Sequence, residues 1–409
     1  MDLPITPETL RARLRVLLPS NLLELARMLK AFVRLRGFES VEALVFALLH
    51  YAGGDASFKD TAACLSAAGS PISHSALQER LVDAEAFLGH LLSHVLAGGV
   101  ETSAGPGQGR VLRIVDATSV SGPGATGTDL RVHALFDEQS KRLVAVKVTG
   151  DHVGESSALH PLGCESVKLG DRAYPTVKNI VSLEDRGVEY LIRLIPETLP
   201  VYDADGRRRD LRECECDALV GRPFEETAWL HVKSPAGKRP LRGARPVVRR
   251  VAVRIVAVRV TPETVIWLVT NLPADKVDAE GLSQLYRVRW QVELMFKRMK
   301  SLGGLGRMKS RNGPSARAWL LAKLLLFALA QAHVRPAGPK GETERSLHSA
   351  WSRTRVALAA VILAITGYAV LALASCETAM LRLRNTPSRR PMQRPSRALQ
   401  HSLGLWQAA

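Results

Sequence analysis

The feature that most constrains the fold of this chain is a change in the spacing of its apolar residues near residue 110. Up to about residue 100 they recur every three or four positions, as on amphipathic helices. Beyond it they form short strand-like runs at 111–115, 130–136 and 143–148, and the turn DEQSK joins the last two as a hairpin. Further strand runs then alternate with helical stretches. This order predicts an α/β protein with a mixed sheet, preceded by helices.

Shifts in composition divide the chain into predicted parts. A stretch rich in glycine and small residues at 97–109 separates the first helices from the strands. After Pro196 the sequence is strand-rich and strongly basic, and its runs VAVRIVAVRV and VIWLVTNL alternate like the arms of a hairpin. The predicted parts are a helical region at 1–104, an α/β domain at 105–335 with a β-rich insertion at 197–272, a C-terminal helical region at 336–384, and a basic tail at 385–409 that we expect to be disordered.

Two short helical stretches between residues 57 and 81 have the spacing of a helix-turn-helix. Gly69 can end the first stretch in the left-handed conformation, and Ser73 or Ser75 can cap the second. In a helix-turn-helix the second helix enters a DNA groove. Many helical hairpins share this spacing, so an all-helical packing domain is an equally good interpretation.

Net charge and cysteine content indicate the setting in which the protein acts. Lys and Arg total 56 against 39 Asp and Glu, which gives a net charge of +17 and a pI of about 10.1. A surplus of this size favours a polyanionic partner, either nucleic acid or an anionic membrane surface. The five cysteines show no redox or zinc spacing, so we expect reduced thiols and a cytoplasmic location.

Neither end of the chain has the clear pattern of a membrane segment. The N-terminus carries acids early and lacks the apolar stretch of a secretory signal. The apolar run 356–374 has the length of a membrane span and precedes a basic tail. Much of this run is alanine, which drives insertion weakly, so we favour a buried helix over a membrane anchor and expect no membrane association.

The segment YRVRWQVELMFKRMK, residues 286–300, predicts one amphipathic helix, because its apolar residues gather on one side at about 100° per residue. The neighbouring side places one acid among bases and an aromatic ring, and consists of Tyr286, Arg289, Glu293 and Lys300. Such a face can hold a phosphate backbone while it offers a carboxylate to a metal ion. The pattern is equally typical of a solvated helix face, and it assigns no role to Trp290.

Three carboxylates lie where a folded chain could bring them together. Asp116 ends the first strand, Asp171 follows a later strand, and Glu293 lies on the predicted helix. Oxygen ligands from separate elements suit hard divalent cations such as Mg²⁺. Two such ions about 4 Å apart can activate a nucleophile and stabilise the leaving oxygen in phosphoryl transfer. Acids at strand ends are also common as caps and in solvated turns.

The spacing of the four charged and aromatic residues on this helix resembles a known signature. Tyr286, Arg289, Glu293 and Lys300 match Y-(2)-R-(3)-E-(6)-K, which is found in a large group of bacterial insertion-sequence transposases. These are cut-and-paste DDE enzymes with an RNase H-like catalytic core. The chain is therefore similar to this family at four positions with fixed offsets.

The surroundings of the two aspartates resemble the same family. Its first Asp ends the first core strand, as Asp116 does in VLRIVDATSV. Its second Asp follows the fourth strand in a D-R-G-Y-like motif, as Asp171 does in GDRAY, although Ala173 stands where the family has glycine. Family members also carry a β-rich insertion where residues 197–272 fall. The resemblance covers residues 111–300.

The resemblance implies a set of site residues and a cofactor. Asp116, Asp171 and Glu293 would be catalytic and would hold two Mg²⁺ ions, for which Mn²⁺ could substitute. The residues implied to contact DNA are Tyr286, Arg289 and Lys300 at phosphates, Arg172 and Tyr174 beside the second Asp, and Trp267 as a platform for a flipped base.

The resemblance also implies a reaction and its partners. A transposase of this type hydrolyses double-stranded DNA at the inverted-repeat ends of its element and transfers the freed 3′ hydroxyl ends into target DNA, and we expect it to act as a homodimer. Two alternatives remain open at this point. One is a catalytically inactive, transposase-derived DNA-binding regulator, and the other is a membrane-associated protein anchored by residues 356–374.

Overall fold

The computed structural model of this chain describes residues 15–34, 37–53, 57–67, 71–98, 110–215, 218–219, 222–234, 246–301, 304–306, 308–310 and 313–332. The predicted C-terminal helical region at 336–384 and basic tail at 385–409 lie outside the described residues. The apolar run 356–374 and the helix-ending Gly69 also lie outside them.

Helices come first in the chain, and strands then dominate up to residue 270. The described helices are α1 (Leu22–Met28), α2 (Val41–Gly53), α3 (Phe58–Ala67), α4 (His74–Asp83), α5 (Glu85–Gly98), α6 (Val177–Glu184), α7 (Ala279–Arg287), α8 (Trp290–Ser301) and α9 (Gly313–Ala332), with a 3-10 turn at Ser157–Leu159. The described strands are β1 (Val111–Val120), β2 (Leu130–Asp137), β3 (Arg142–Gly150), β4 (Ser166–Gly170), β5 (Glu189–Leu194), β6 (Val201–Tyr202), β7 (Arg208–Arg209), β8 (Phe224–Lys233), β9 (Val247–Thr261) and β10 (Thr264–Thr270).

Five strands form a mixed sheet in the order β3-β2-β1-β4-β5. Strand β1 pairs antiparallel with β2, where Ile114 lies opposite Phe136, and parallel with β4, where Ile114 lies opposite Leu169. Strand β4 pairs parallel with β5, and helix α6 makes the crossover that parallel neighbours require. The predicted mixed α/β sheet is confirmed, and its order is that of an RNase H-like core.

The β-rich insertion continues this sheet. Strand β10 pairs antiparallel with β5, where Trp267 lies opposite Leu194, and β9 pairs with β10 and with β8. The complete order is β3-β2-β1-β4-β5-β10-β9-β8-β6-β7. The hairpin predicted for VAVRIVAVRV and VIWLVTNL is therefore present as β9 and β10. Backbone hydrogen bonds join the insertion directly to the core.

Two hydrophobic cores cover the two faces of the sheet. On one face the five N-terminal helices pack with α7, α8 and α9 against strand residues such as Ile114. On the other face α6, through Ile180 and Leu183, packs against residues such as Val115 and against the inner side of the insertion strands. Ile114 and Val115 serve different cores because successive side chains of a strand point to opposite faces.

Helix α9 is central to the first core, where it packs against α2 and α5. It is long and apolar enough to cross a membrane, and 83% of its apolar window is buried inside the protein, as in the core helix of a globular protein. Its Lys323 is buried and donates a hydrogen bond of 2.7 Å to the Ala52 carbonyl in the last turn of α2. A cation at that position also interacts favourably with the negative end of the α2 dipole.

Helix α4 begins with Ser73 as its cap. The Ser73 Oγ accepts a hydrogen bond of 3.1 Å from the Ala76 amide, which satisfies one of the free amides of the first turn. We expect Ser73→Ala to lower the free energy of unfolding by about 1 kcal/mol. The exposed Ser75 is the matched control, and Ser75→Ala should change the free energy of unfolding by less than about 0.5 kcal/mol. Urea unfolding measures both, and equal losses in the two variants would contradict the cap.

The prediction that Asp116 ends its strand is wrong. Strand β1 continues to Val120, because β2 pairs with it as far as Val120 opposite Leu130. On its other side β4 pairs with β1 only as far as Ile114. Asp116 therefore lies inside the strand, two residues beyond the last position that β4 covers.

The prediction of one continuous helix at 286–300 is also wrong. Helix α7 ends at Arg287, and α8 begins at Trp290. The amides of Val288 and Arg289 donate to carbonyls three residues back instead of four, which tightens the backbone between the two helices. An amphipathic pattern continues unchanged through such a turn, so apolar spacing alone does not indicate the break.

Candidate active site

Asp116 and Asp171 come together at one edge of the core sheet. Asp171 follows directly after β4, and Asp116 lies on the neighbouring parallel strand just past the end of the β1–β4 ladder. The carboxyl ends of parallel strands meet at the same edge, which explains the approach. Each carboxylate also accepts a local amide hydrogen bond, Asp116 from Ala117 at 2.8 Å and Asp171 from Ala173 at 2.9 Å. These bonds hold both acids in place.

A third carboxylate, Glu155, completes this group, and the sequence analysis missed it. One carboxylate oxygen from each of Asp116, Glu155 and Asp171 lies within 4.8 Å of the others. Glu155 belongs to the connection between β3 and β4, where no strand or helix period marks a position as functional. In the structure it lies two residues before the 3-10 turn at Ser157–Leu159. We refer to these three residues as the acidic cluster.

The electrostatics of the acidic cluster are unfavourable without a cation. Burial raises the pKa of Asp116 to about 6, and repulsion from Asp171 adds to the shift against the lowering effect of the Ala117 amide. Burial also raises the pKa of Glu155 to about 7, again with repulsion from Asp171 and Asp116. Buried carboxylates held this close destabilise one another when ionised. A divalent cation between them would remove that repulsion.

Arg289 connects the acidic cluster to Glu293. Its Nη1 lies 3.3 Å from Asp116 Oδ2, and its Nη2 donates to Glu293 Oε1 in a short ion pair. The two carboxylates come from different elements: Asp116 lies on β1, and Glu293 lies in the first turn of α8. Among the described residues, Glu293 is not part of the group whose oxygens approach within 4.8 Å. The structure therefore brings Glu293 next to the cluster, with Arg289 between them.

The other residues of the signature differ in exposure. Tyr286 is buried in α7, with the Arg289 guanidinium 5.8 Å from its ring centre, and burial raises its pKa to about 12. Lys300 is exposed seven positions beyond Glu293, about two turns along α8. Arg172, beside Asp171, is exposed as well. The two exposed cations are accessible to a polyanion.

Tyr174 lies beneath the acidic cluster and is completely buried. Burial and an interaction with the Glu155 carboxylate raise the pKa of its hydroxyl well above the ordinary value. The ammonium of Lys168 lies 4.1 Å from the Tyr174 ring centre and donates a hydrogen bond of 2.5 Å to Ser157 Oγ. Burial lowers the pKa of Lys168 well below its ordinary value. Tyr174 thus supports the floor of the site and is not accessible to DNA in this arrangement.

Trp267 is placed away from any surface that a flipped base could reach. Its side chain is 3% exposed and packs edge-on against Phe224, with ring centres 6.1 Å apart. Both residues belong to the second hydrophobic core. A base could stack on Trp267 only after a rearrangement of that core. Trp290 is the exposed tryptophan of this region, and Lys297 lies 5.8 Å from its ring centre.

Several other acids and histidines of this region have partners outside the acidic cluster. Asp137 accepts from Ser140 in the β2–β3 turn, and Asp185 pairs with Arg249. Asp151 lies exposed beside His152. His133 is buried with Nε2 2.8 Å from Thr149 Oγ1, and burial lowers its pKa to about 4.

Comparison with protein families gives this geometry a context. Residues 107–329 match a family described as the transposase DDE domain. The match covers more than half of the chain and includes the acidic cluster and the signature residues of α7 and α8. The chain belongs to the transposase DDE domain family. It is an enzyme of DNA transposition, and the predicted resemblance to insertion-sequence transposases is confirmed.

Individual relatives of this transposase come from Escherichia coli. It is 27% identical over 340 residues to the InsL transposase of insertion sequence element IS186A in strain K12, covering 78% of this chain and 91% of that protein. It is also 27% identical over 341 residues to the transposase for insertion sequence element IS421, with the same coverage. The similarity therefore extends over most of both chains.

A solved structure supports the fold. The transposase resembles a chain of the piggyBac transposase synaptic complex with hairpin DNA, determined by cryo-EM, with a TM-score of 0.50 and 10% sequence identity. The alignment covers 95% of this chain and 87% of that chain. This likeness agrees with the RNase H-like order of the core strands. Membership of the DDE family further supports binding to DNA and the use of a divalent metal ion.

Proposed function

We propose that this transposase cleaves double-stranded DNA at the inverted-repeat ends of its own element and joins the freed ends to target DNA. The observation that carries the proposal is the acidic cluster, three carboxylates within 4.8 Å of one another at the edge of an RNase H-like sheet. Arg289 and Glu293 of the signature lie directly beside it. This arrangement suits phosphoryl transfer between DNA strands.

The residues of the acidic cluster fit divalent cations. All of the donors are carboxylate oxygens, which hard ions such as Mg²⁺ prefer, and they lie within 4.8 Å of one another. Asp116, Asp171 and Glu155 would hold the ions, and Glu293 would join them. Two Mg²⁺ ions, or Mn²⁺ in their place, would activate the attacking oxygen and stabilise the leaving oxygen.

Arg289 has two alternative partners in this proposal. In the described structure it neutralises Asp116 and Glu293. When a DNA phosphate enters, the guanidinium can turn to that phosphate, because its planar donors suit a phosphate as well as a carboxylate. Glu293 is then released toward the acidic cluster. Lys300 and Arg172 would contact neighbouring phosphates and so position the strand without reading its sequence.

The partners and setting follow from the same proposal. The substrate is double-stranded DNA, both the element's ends and the target, and two subunits would each hold one end in a homodimer. The synaptic complex of the piggyBac transposase contains hairpin DNA, which supports this choice of ligand by analogy. Cys64 and Cys164 carry free thiols, which suits a bacterial cytoplasm. The N-terminal helices at 1–104 would bind the ends.

The test is cleavage of labelled duplexes that carry the inverted repeats flanking the gene. We expect the wild-type protein to cut them with Mg²⁺ or Mn²⁺ and not with EDTA. Glu155→Gln, which removes a proposed metal ligand, should reduce cleavage by about a hundredfold or more, because a bound metal ion supplies several kcal/mol of transition-state stabilisation. Asp151→Asn, which changes an exposed acid four residues away, should leave cleavage unchanged.

Two outcomes would count against the proposal. Cleavage that is equal with and without metal ions would exclude the assigned chemistry. Salt-dependent binding of the ends without any metal-dependent cutting would favour the alternative of an inactive DNA-binding regulator.

A further inference from the structure

A groove with a volume of about 910 Å³ lies between α6 and the strands of the insertion. One wall is α6 and the residues just after it, from Val177 to Arg186. The other wall comes from the insertion, with Tyr202, Arg208, His231 and Lys233. We call this feature the α6 groove. The acidic cluster does not contribute to it, and neither does the signature on α7 and α8.

The charges of the α6 groove favour an anion. Lys178, Arg208 and Lys233 are exposed along it, and Arg186 lies between them, partly buried. Among the lining residues that the structure describes, Asp185 is the one acid, and it already pairs with Arg249. The groove therefore presents four cations and little compensating negative charge.

Two polar groups in the groove have no partner within the protein. Arg186 donates through Nε to the Ser182 carbonyl at 3.2 Å, but its Nη2 is buried without a hydrogen-bond partner. His231 Nε2 is likewise buried and unpartnered, and its ring stacks on Tyr202 at 3.6 Å between ring centres. A buried guanidinium nitrogen without an acceptor is costly, so it indicates a ligand that supplies one.

The position of the groove connects it to the reaction. Helix α6 begins at Val177, six residues after Asp171, so this end of the groove lies at most about 20 Å from Asp171 along the chain. From Val177 to Arg186 the wall extends for about 14 Å at 1.5 Å per residue. In B-DNA one strand carries a phosphate about every 3.4 Å of helix axis, so a wall of this length can contact more than one successive phosphate.

We propose that the α6 groove holds the sugar-phosphate backbone of the DNA on one side of the phosphodiester bond that is bound at the acidic cluster. The inference rests on the proposed function, because it takes the same DNA molecule as substrate. Lys178, Arg208 and Lys233 form ion pairs with successive phosphates, and Arg186 Nη2 donates to one of them. The stacked rings of Tyr202 and His231 form a rigid wall against the sugars.

The experiment measures binding of labelled end DNA by fluorescence anisotropy over a range of salt concentrations, without divalent metal. We expect Lys233→Gln to reduce the slope of log K against log salt by about 0.9, and the triple change Lys178→Gln, Arg208→Gln and Lys233→Gln to reduce it by about 2.7. Lys276→Gln, an exposed lysine outside the groove, is the matched control and should keep the wild-type slope.

A second arm locates the contact. Two shortened duplexes are used, one without the DNA on one side of the cleavage position and one without the DNA on the other side. We expect the slope difference between the wild-type and triple variants to vanish with one of these duplexes and to persist with the other. Wild-type slopes in all variants, or a difference that survives both truncations, would overturn the proposal.

The outcomes separate this inference from the proposed function. Metal-dependent cleavage by the wild-type protein together with unchanged slopes would refute the groove and leave the function standing. Reduced slopes in the triple variant without any cleavage by the wild-type protein would support the groove and refute the cleavage. Circular dichroism tests whether the variants remain folded, which we expect because they change exposed side chains only.

Discussion

Asp116→Asn is expected to reduce cleavage of the element's ends by about a thousandfold or more, because loss of a metal ligand removes several kcal/mol of transition-state stabilisation. Asp116 is the residue that the other site groups share. It lies within 4.8 Å of Glu155 and Asp171, and it contacts Arg289. The amide of asparagine keeps the shape of the side chain but cannot neutralise a cation. Single-turnover cleavage of labelled duplex measures the loss.

Stability measurements distinguish a catalytic role of Asp116 from a structural one. Burial raises the pKa of Asp116 from 3.8 to about 6, so the folded state binds this proton more tightly than the unfolded chain does. Protonation therefore stabilises the fold fully below pH 3.8, and this stabilisation is lost as the pH rises through about 6. Above that pH the ionised carboxylate destabilises the metal-free fold. We therefore expect Asp116→Asn to be at least as stable as the wild type there, with the difference shrinking as the pH falls.

The matched control for Asp116 is Asp129→Asn, in the β1–β2 loop. Asp129 accepts a hydrogen bond of 2.6 Å from the Gly122 amide, and an asparagine oxygen can accept the same bond. This variant should cut DNA at the wild-type rate. Equal activity in wild type and Asp116→Asn, or an inactive variant that is also unfolded, would contradict a catalytic role.

Arg254→Ala is expected to lower the free energy of unfolding by about 2–3 kcal/mol, because a mostly buried guanidinium loses its hydrogen bonds to two carbonyls and its ion pair with an exposed glutamate. Arg254 on β9 is 9% exposed. It forms two hydrogen bonds of 2.8 and 2.9 Å with Glu225 on β8, and its Nη1 donates to the carbonyls of Leu272 and Val277. One side chain thus ties the insertion to the chain that leads into α7.

The same strand supplies the control for Arg254. Arg249 pairs with Asp185, and both side chains are about half exposed. Because solvent screens such a pair, Arg249→Ala should cost about 0–1 kcal/mol. Urea unfolding of the two variants measures the contrast. Losses of the same size would mean that the hydrogen bonds of Arg254 contribute no more to stability than an exposed ion pair does.

Much of the catalytic core could be predicted from the sequence because its signals are local. The change from a helical to a strand-like period located β1, and the run before Asp171 located β4. The resemblance to a known family indicated that Asp116 and Asp171 belong to one site, although the sequence placed Asp116 at the end of its strand instead of inside it. The hairpin of β9 and β10 followed from strict alternation.

The parts that could not be predicted depend on contacts between distant segments. Glu155 lies in a connection without a period, and only folding brings it to Asp116. The strand β1 continues past Asp116 because β2 pairs with it, which a single strand does not indicate. The break after Arg287 leaves the apolar spacing intact, so the pattern predicts one helix where there are two. The joining of β10 to β5 depends on pairing across the whole insertion.

The late position of α9 in the chain has a consequence for the synthesis of this protein. Helices α2 and α5 lie before residue 99, but the helix that packs between them begins at Gly313. During translation their apolar sides leave the ribosome long before that partner exists. Exposed apolar surface of this kind is prone to aggregation and is what chaperones bind. The first core therefore closes only when nearly all of the described chain has been made, so a prematurely terminated product lacks it.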